Sequence, residues 1–464
     1  MDSDAVDTGA GPQPWLAHAL RAAGGLVTPR LALLCIVVFF VAEAIHQVGF
    51  VIGLEGHLSP IADRYSEANA LRAGERYATL GFTDYAGLPD VAYGTQFPND
   101  GYMGDYLREH PGAARVPGPL IYTHYPPAPD WIAGVLTKVF GVGRLTLFRL
   151  FPIAFGLVCM AFFASSLVRA VGMVKGFVVL LLLAAAPMFT NMMHGLHYQG
   201  YAFSLFLVQL GILLRVFAPG SSPNASVRRP AAALAALGFV QGWFSFDYFF
   251  LVSLAAVPFA FLWAKPERED GGARRLFWCV AAPLVGFGAA HALHLVQVAV
   301  FHQSLSTAIR DLGTAAAHRA AHSRGLDIYG DKDTSLRSLL RWYGRMLHHD
   351  DRFFGSLYPW AMAAALTIAV CRQARFECAR PVPLRLTWDA RGRAGLALGA
   401  AFLISGLWVL VMRNHAVVHL FYISRHFFLG YFVAVVMLVM FLRVEMPLGE
   451  ECPAGTLPQG VKRG

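Results

Sequence analysis

Apolar runs near or above the roughly 18–20 residues a helix needs to cross a bilayer recur along nearly the whole chain. In lipid, every backbone N–H and C=O must be satisfied inside the spanning segment, so such runs fold as helices rather than as open sheet or irregular chain. Hydropathy and breaker residues place about ten of them, near 31–52, 146–168, 176–190, 200–217, 230–245, 247–264, 275–301, 355–371, 394–412 and 421–442. The turn at 244–247 is so short that the fifth and sixth runs also read as one broken re-entrant unit. Only 14% of the residues are charged, where a soluble domain carries about a quarter. The expected fold class is an all-α polytopic membrane protein.

Lys and Arg in the short loops set the orientation. One alternating set holds Arg169 and Lys175, then Arg228 and Arg229, then Lys265, Arg268, Arg274 and Arg275, then six arginines over 372–393. The opposite set, 191–199 and 245–247, holds none. The basic set belongs in the cytoplasm. Residues 1–30 are then a cytoplasmic segment without a removable signal peptide, 31–443 the transmembrane domain, and 444–464 a cytoplasmic tail. Two long loops, 53–145 and 302–354, face outward. The net charge of +9 follows from this topology and gives no reason to expect a nucleic-acid partner. Neither outward loop contains a cysteine, so packing and the membrane surface must order them.

The first outward loop carries the most pointed residues. From Pro60 it reads as a surface helix with Asp63, Tyr65 and Glu67 in its opening turns. Asp63 suits the positive end of that helix. It equally suits a general base, because a carboxylate at the mouth of a span can take a proton from an acceptor hydroxyl, and partial desolvation raises its basicity. The Gly-, Asp-, Tyr- and Pro-rich stretch 81–115 reads as an irregular loop whose acids, Asp84, Asp90, Asp100 and Asp105, are solvated. Thr123-His124-Tyr125-Pro126-Pro127 then leads into Trp131 to Phe140, too short to span and read as an interfacial helix.

Later segments add cations and histidines. The loop 302–354 carries Arg310, Arg319, Arg337, Arg341 and Arg345 among others, with a helix near 304–322 at the membrane surface. Arginine forks suit a phosphodiester, and anionic headgroups would attract the same residues. The turn between the last two runs holds His415, His419 and Arg425. His415 and His419 lie four apart, as a hydrogen-bonded interfacial pair or half of a metal site. Asp247, flanked by aromatics, either shapes a pocket or caps the sixth span. His194 and His197 read as interfacial, and His291 and His294 as facing the bundle interior.

One span, a long outward loop with an early Asp beside Arg64-Tyr65, a His-Pro-Pro-type segment at His124, Pro126 and Pro127, and Arg149-Leu-Phe-Pro152 opening the next span together resemble the GT-C glycosyltransferases that use polyprenyl-phosphate sugars. That group includes protein O-mannosyltransferases and lipid A aminoarabinose transferases. Two departures stand out: a lone Asp63 directly precedes Arg64-Tyr65, and Tyr125 separates His124 from the prolines. The resemblance implies a GT-C-like bundle and a multi-pass plasma-membrane enzyme with its active site on the extracytoplasmic side. It implies inverting transfer from a polyprenyl-phosphate-linked sugar to an acceptor hydroxyl, with Asp63 as base. Glu67, Tyr65, His124, Tyr125 and Asp247 become candidates for the acceptor and sugar pocket, and Arg425, His415, His419 and Arg345 for the donor phosphate. Arginines can balance the leaving group's charge, so no cofactor is expected, and a divalent metal is neither required nor excluded. The expected partners are the lipid-linked donor, an unspecified glycan, lipid or protein acceptor, and membrane lipids. A transporter or flippase of lipid-linked glycans shares the span count; it usually shows two similar halves, and no such internal symmetry is evident here.

Overall fold

The computed structural model describes residues 29–54, 58, 64–91, 119–184, 186, 192–217, 227–263, 269–320, 335–339, 341, 388–418 and 424–441. The expected span at 355–371 and the candidates Asp63, His419 and Arg345 lie outside them. Among the described residues the chain is helical, with one isolated bridge between Asp90 and Ile121.

The helices are α1 (Pro29–Gly53), α2 (Arg64–Thr79), α3 (Ala128–Phe140), α4 (Leu145–Val171), α5 (Met173–Ala184), α6 (Tyr198–Phe217), α7 (Arg228–Phe244), α8 (Phe249–Leu254), α9 (Ala256–Trp263), α10 (Glu269–His302), α11 (Leu305–Ala320), α12 (Trp388–Val411), α13 (Arg413–Val418) and α14 (Phe428–Phe441). Nine of the ten expected runs coincide with these elements; the tenth is the one at 355–371. Among the described residues, four segments are both long and apolar enough to cross a bilayer: Arg30–Gly53, Leu145–Val171, Tyr198–Phe217 and Gly272–His302. Others are apolar but shorter, among them Met173–Ala184, Phe249–Trp263 and Gly395–Val411. The expected run 247–264 is broken into α8 and α9 at Ala255, and a turn at Ser245–Tyr248 separates α7 from α8.

Glycine permits the tightest contacts. α7 and α10 run parallel, and a methyl group on Gly286 would lie 1.9 Å from the Ala235 carbonyl oxygen, as one on Gly238 would lie 2.3 Å from that of Pro283. In lipid, where no hydrophobic drive separates helix from tail, small residues that admit backbone contact supply the packing. Behind this pair, Phe163, Phe203, Phe206, Leu210, Phe259, Phe432 and their neighbours form the main buried cluster.

α2 and α3 form a separate layer at one end of the bundle. They cross closely at Gly74, where an added Cβ would meet Ala133 at 2.8 Å. α3 is amphipathic, as its interfacial reading requires, and Gly141 at φ 86 ends it. Beneath them a strap pairs 89–91 with 120–122: Val91 N–H donates to Leu120 O at 2.9 Å and Tyr122 N–H to Pro89 O at 2.8 Å. Asp90 corrects one expectation. It is not solvated but 2% exposed, accepting from Arg76 Nε at 2.7 Å and from the Leu120 amide at 3.0 Å. A carboxylate closing a strap has to be inside it; the composition of the loop could not reveal the partner that arrives from α2.

Candidate functional site

The polar groups that sequence scatters over three hundred positions meet at the end of the bundle beneath this layer. The α7–α8 turn supplies Asp247, whose amide donates to Ser245 Oγ at 3.1 Å, so the side chain is aimed by a local turn. A 3-10 turn at Ser424–Phe427 just before α14 supplies Arg425, which donates to the Asp247 carboxylate; both are buried. α13 supplies His415, with Nε2 3.8 Å from the same carboxylate. Two buried charges so placed require each other, because either alone would face a large desolvation penalty.

Aromatic rings wall this cluster. Tyr125 stacks between Tyr122 and Tyr198, each with centroids 5.2 Å away, and tilts against Phe246 at 4.9 Å. Trp408 stacks on His426 at 5.5 Å and faces Phe246 at 5.4 Å. The Arg425 guanidinium lies 5.8 Å from the Tyr198 ring centre and 5.7 Å from that of Tyr248. From α11, Arg319 reaches the faces of Tyr125 and Phe246 at 5.0 and 4.8 Å. Desolvated cation–π contacts are each worth about 2 kcal/mol or more.

α11 is fastened over the site by a second carboxylate. Asp311 accepts from Thr123 Oγ1 at 2.7 Å and faces His302 Nε2 at 3.1 Å and His124 Nε2 at 3.4 Å. Burial raises the pKa of Asp311, but the Thr123 and His302 hydrogen bonds and the neighbouring His124 outweigh it and hold the carboxyl below the usual value. His124 is shifted down, first by burial and then by Arg319, against the upward pull of Asp311. Asn414 adds a clasp from α13, donating to the His318 carbonyl at 3.0 Å. Between these parts lies a cavity of about 520 Å³, lined by His124, Pro126, Phe246, His294, Arg319 and Met412 among others.

The sequence candidates thus divide. Asp247, Arg425 and His415 come together, and Tyr125 and His124 border the same region. Glu67 is found elsewhere: completely buried, it takes both Nε and Nη2 of Arg149 at 3.1 and 2.9 Å. Tyr65 lies in the first turn of α2. His194 and His197 are buried rather than interfacial, His194 with Nδ1 3.3 Å from Gln47 Oε1. His294 does face inward, with Nε2 2.8 Å from the Thr123 carbonyl oxygen. Among the described residues no group of three or more His, Cys, Asp or Glu side chains is arranged to hold a metal ion.

Sequence reasoning did not single out Asp311, Thr123 or Phe246. For Asp311 a signal existed: it is the one acid in a helix otherwise carrying Arg and His.

No protein-family description matches the chain, and no curated protein matches it either. Two crystal structures are similar to it, both of ArnT from Cupriavidus metallidurans. The one bound to undecaprenyl phosphate is 16% identical and the apo form 17%. Each covers 86% of this chain and 76% of its own, at a TM-score of 0.39.

Proposed function

We propose that this chain is a membrane glycosyltransferase that moves one sugar from a polyprenyl-phosphate donor to an acceptor hydroxyl at the outer face of the membrane. The observation that supports this reading best is the Asp247–Arg425–His415 cluster, buried at the bundle end beside an aromatic wall and a cavity of about 520 Å³. Ionisable groups at membrane depth are costly and tend to mark functional cavities. Aromatic faces carry the negative side of a quadrupole, which suits the C–H face of a sugar ring, and an arginine fork suits a phosphate oxygen pair.

The step is a single inverting displacement. Asp63 takes the acceptor proton, the hydroxyl oxygen forms a bond to the anomeric carbon, and the carbon–oxygen bond to the lipid phosphate breaks with its electron pair on the phosphate. Arg425 compensates the charge that develops there, held in place by Asp247, while His415, His419 and Arg345 remain candidates for further phosphate contacts. His124, Tyr125 and Tyr65 lie on the elements expected to form the acceptor side. The leaving group's charge is met by arginine, so the mechanism needs no metal.

The test is turnover of radiolabelled polyprenyl-phosphate sugars by purified protein, wild type against Asp63→Asn. The expected result is donor consumption by the wild type and a loss of roughly 10²–10⁴-fold in the variant. Equal turnover would remove Asp63 from the mechanism. A protein that binds and moves the donor across a bilayer without cleaving it would make the flippase reading the right one.

A further inference from the structure

At the opposite end of α6, α7 and α10 lies a second concavity, about 640 Å³, that the proposed transfer does not use. We infer that it is a binding site for an anionic diacyl phospholipid of the leaflet that meets that end. Three helices each send one arginine to its rim: Arg215 from the last turn of α6, Arg229 from the first turn of α7, and Arg275 from the start of α10. Among the described residues the lining contains no acid, and below the rim it is apolar, with Ile212, Ala233, Ala236 and Val240.

The dimensions and the electrostatics name the occupant. From Arg229 to Val240 the groove wall follows α7 for twelve residues, eleven rises of 1.5 Å or about 16 Å. That is close to half of a hydrocarbon core of roughly 30 Å, the depth of one leaflet. A ligand that fits this groove carries an anionic headgroup to meet the arginines gathered at the rim and acyl chains about one leaflet long. A phosphodiester between two fatty acyl chains and a small polar alcohol has both. One fork is already positioned: Arg215 Nε donates to Ser166 Oγ at 2.8 Å, and its guanidinium lies 4.3 Å from the Phe162 ring centre. Holding it there reduces the entropy lost on binding. Basic residues at a helix end also serve as orientation signals, but that role requires only their presence in the loops and not their convergence on a groove. The inference is independent of the chemistry at the other end and stands or falls without it.

The experiment uses the full chain in phosphatidylcholine nanodiscs containing a minority of phosphatidylglycerol, with native mass spectrometry of the lipids retained. Phosphatidylglycerol should be enriched over its bulk fraction. Each Arg→Gln change at 215, 229 or 275 should lower that enrichment about fivefold, the equivalent of roughly 1 kcal/mol per basic residue near a charged surface. Ala236→Trp, which fills the exposed groove and leaves all three charges, should abolish it. A photoactivatable acyl chain on phosphatidylglycerol, used with the unaltered protein, should cross-link to residues 208–216 and 233–240. Unchanged enrichment in the triple arginine variant would overturn the inference, as would retention in Ala236→Trp, cross-links confined to other faces, or a polyprenyl phosphate retained in place of the phospholipid.

Discussion

Two of the carboxylate–arginine pairs buried among the described residues differ in what surrounds them. Glu67 and Arg149 meet as a two-pronged fork with neither side chain exposed to solvent, below a cluster that includes Ala68, Leu71, Leu145 and Phe148. Asp247 and Arg425 are almost as deeply buried, yet they have His415 beside them, tyrosine faces over the guanidinium, and a cavity bordered by the neighbouring Phe246. The first pair ties the surface layer to the bundle, since Glu67 is in α2 and Arg149 in α4. The second joins residues 178 apart in sequence, next to Phe246, which lines the cavity. An ion pair enclosed by apolar packing specifies that packing; one whose neighbours are a histidine, aromatic faces and a cavity-lining ring is placed to exchange a partner for a substrate group. The contrast can be broken by mutation.

The largest expected effect is at the enclosed pair. Glu67→Gln leaves the Arg149 charge buried without its carboxylate, and breaking such a pair costs about 3–5 kcal/mol. Thermal unfolding in detergent should show that loss, while donor turnover per folded molecule changes by no more than about threefold. A well-folded Glu67→Gln protein without turnover would reverse the comparison and make Glu67 the base.

Next comes Arg425→Gln. If Arg425 holds the developing phosphate charge, turnover should fall by about 10²–10³-fold, the effect of removing one preorganised donor. His415 stays beside Asp247 as a second partner, so the stability loss should be smaller than at Glu67. A variant that melts early but retains its rate per folded molecule would mean that the second pair is structural as well.

Most of the helices were legible because apolar runs near 20 residues have no alternative in lipid, and α3 and α11 were legible as surface helices from their length and mixed character. The site was legible only in part. Asp247 and Arg425 each stand out as ionisable residues among aromatics, but nothing local in sequence pairs residues so far apart. Glu67 was misjudged for the same reason: a glutamate in the first turn of a surface helix gives no sign of an arginine rising from the next span. Asp90 looked solvated because its partners arrive from α2 and from thirty residues downstream. Periodicity reveals which face of a helix is apolar, and long-range charge pairing leaves no such periodic trace.

A smaller effect is expected where α11 is fastened. Asp311 is held below its ordinary pKa, so its contribution is present above about pH 4 and is lost only as pH falls through the lowered value. His124 is held below its ordinary 6.5, so acidification through that value favours the state in which the histidine is released and protonated. Amide protection factors over 305–320, which take out the intrinsic slowing of exchange at lower pH, should therefore fall several-fold from pH 7.5 to 5.5, about 1 kcal/mol of docking. The same pH change in His124→Gln should have little effect. Equal pH sensitivity in that variant would locate the switch elsewhere.

The smallest effect concerns a third acid, which the comparison of pairs leaves out. Asp130, in the first turn of α3, has no cation within ion-pair distance among the described residues, and burial pushes its carboxyl up to about 7 against the pull of its own backbone amide. A group whose folded-state pKa is raised contributes fully below its unfolded value, near 3.8, and loses that contribution as pH rises through 7. Asp130→Asn should therefore match the wild type at pH 4 and exceed it at pH 8, by about 1 kcal/mol once partial hydration of the site is allowed for. Unfolding midpoints at the two pH values measure this directly. If Asp130→Asn is instead less stable at pH 8, the charged carboxylate has a stabilising partner there. It would then belong with Asp247 and Arg425 as a charge held for use rather than with the burdens of packing.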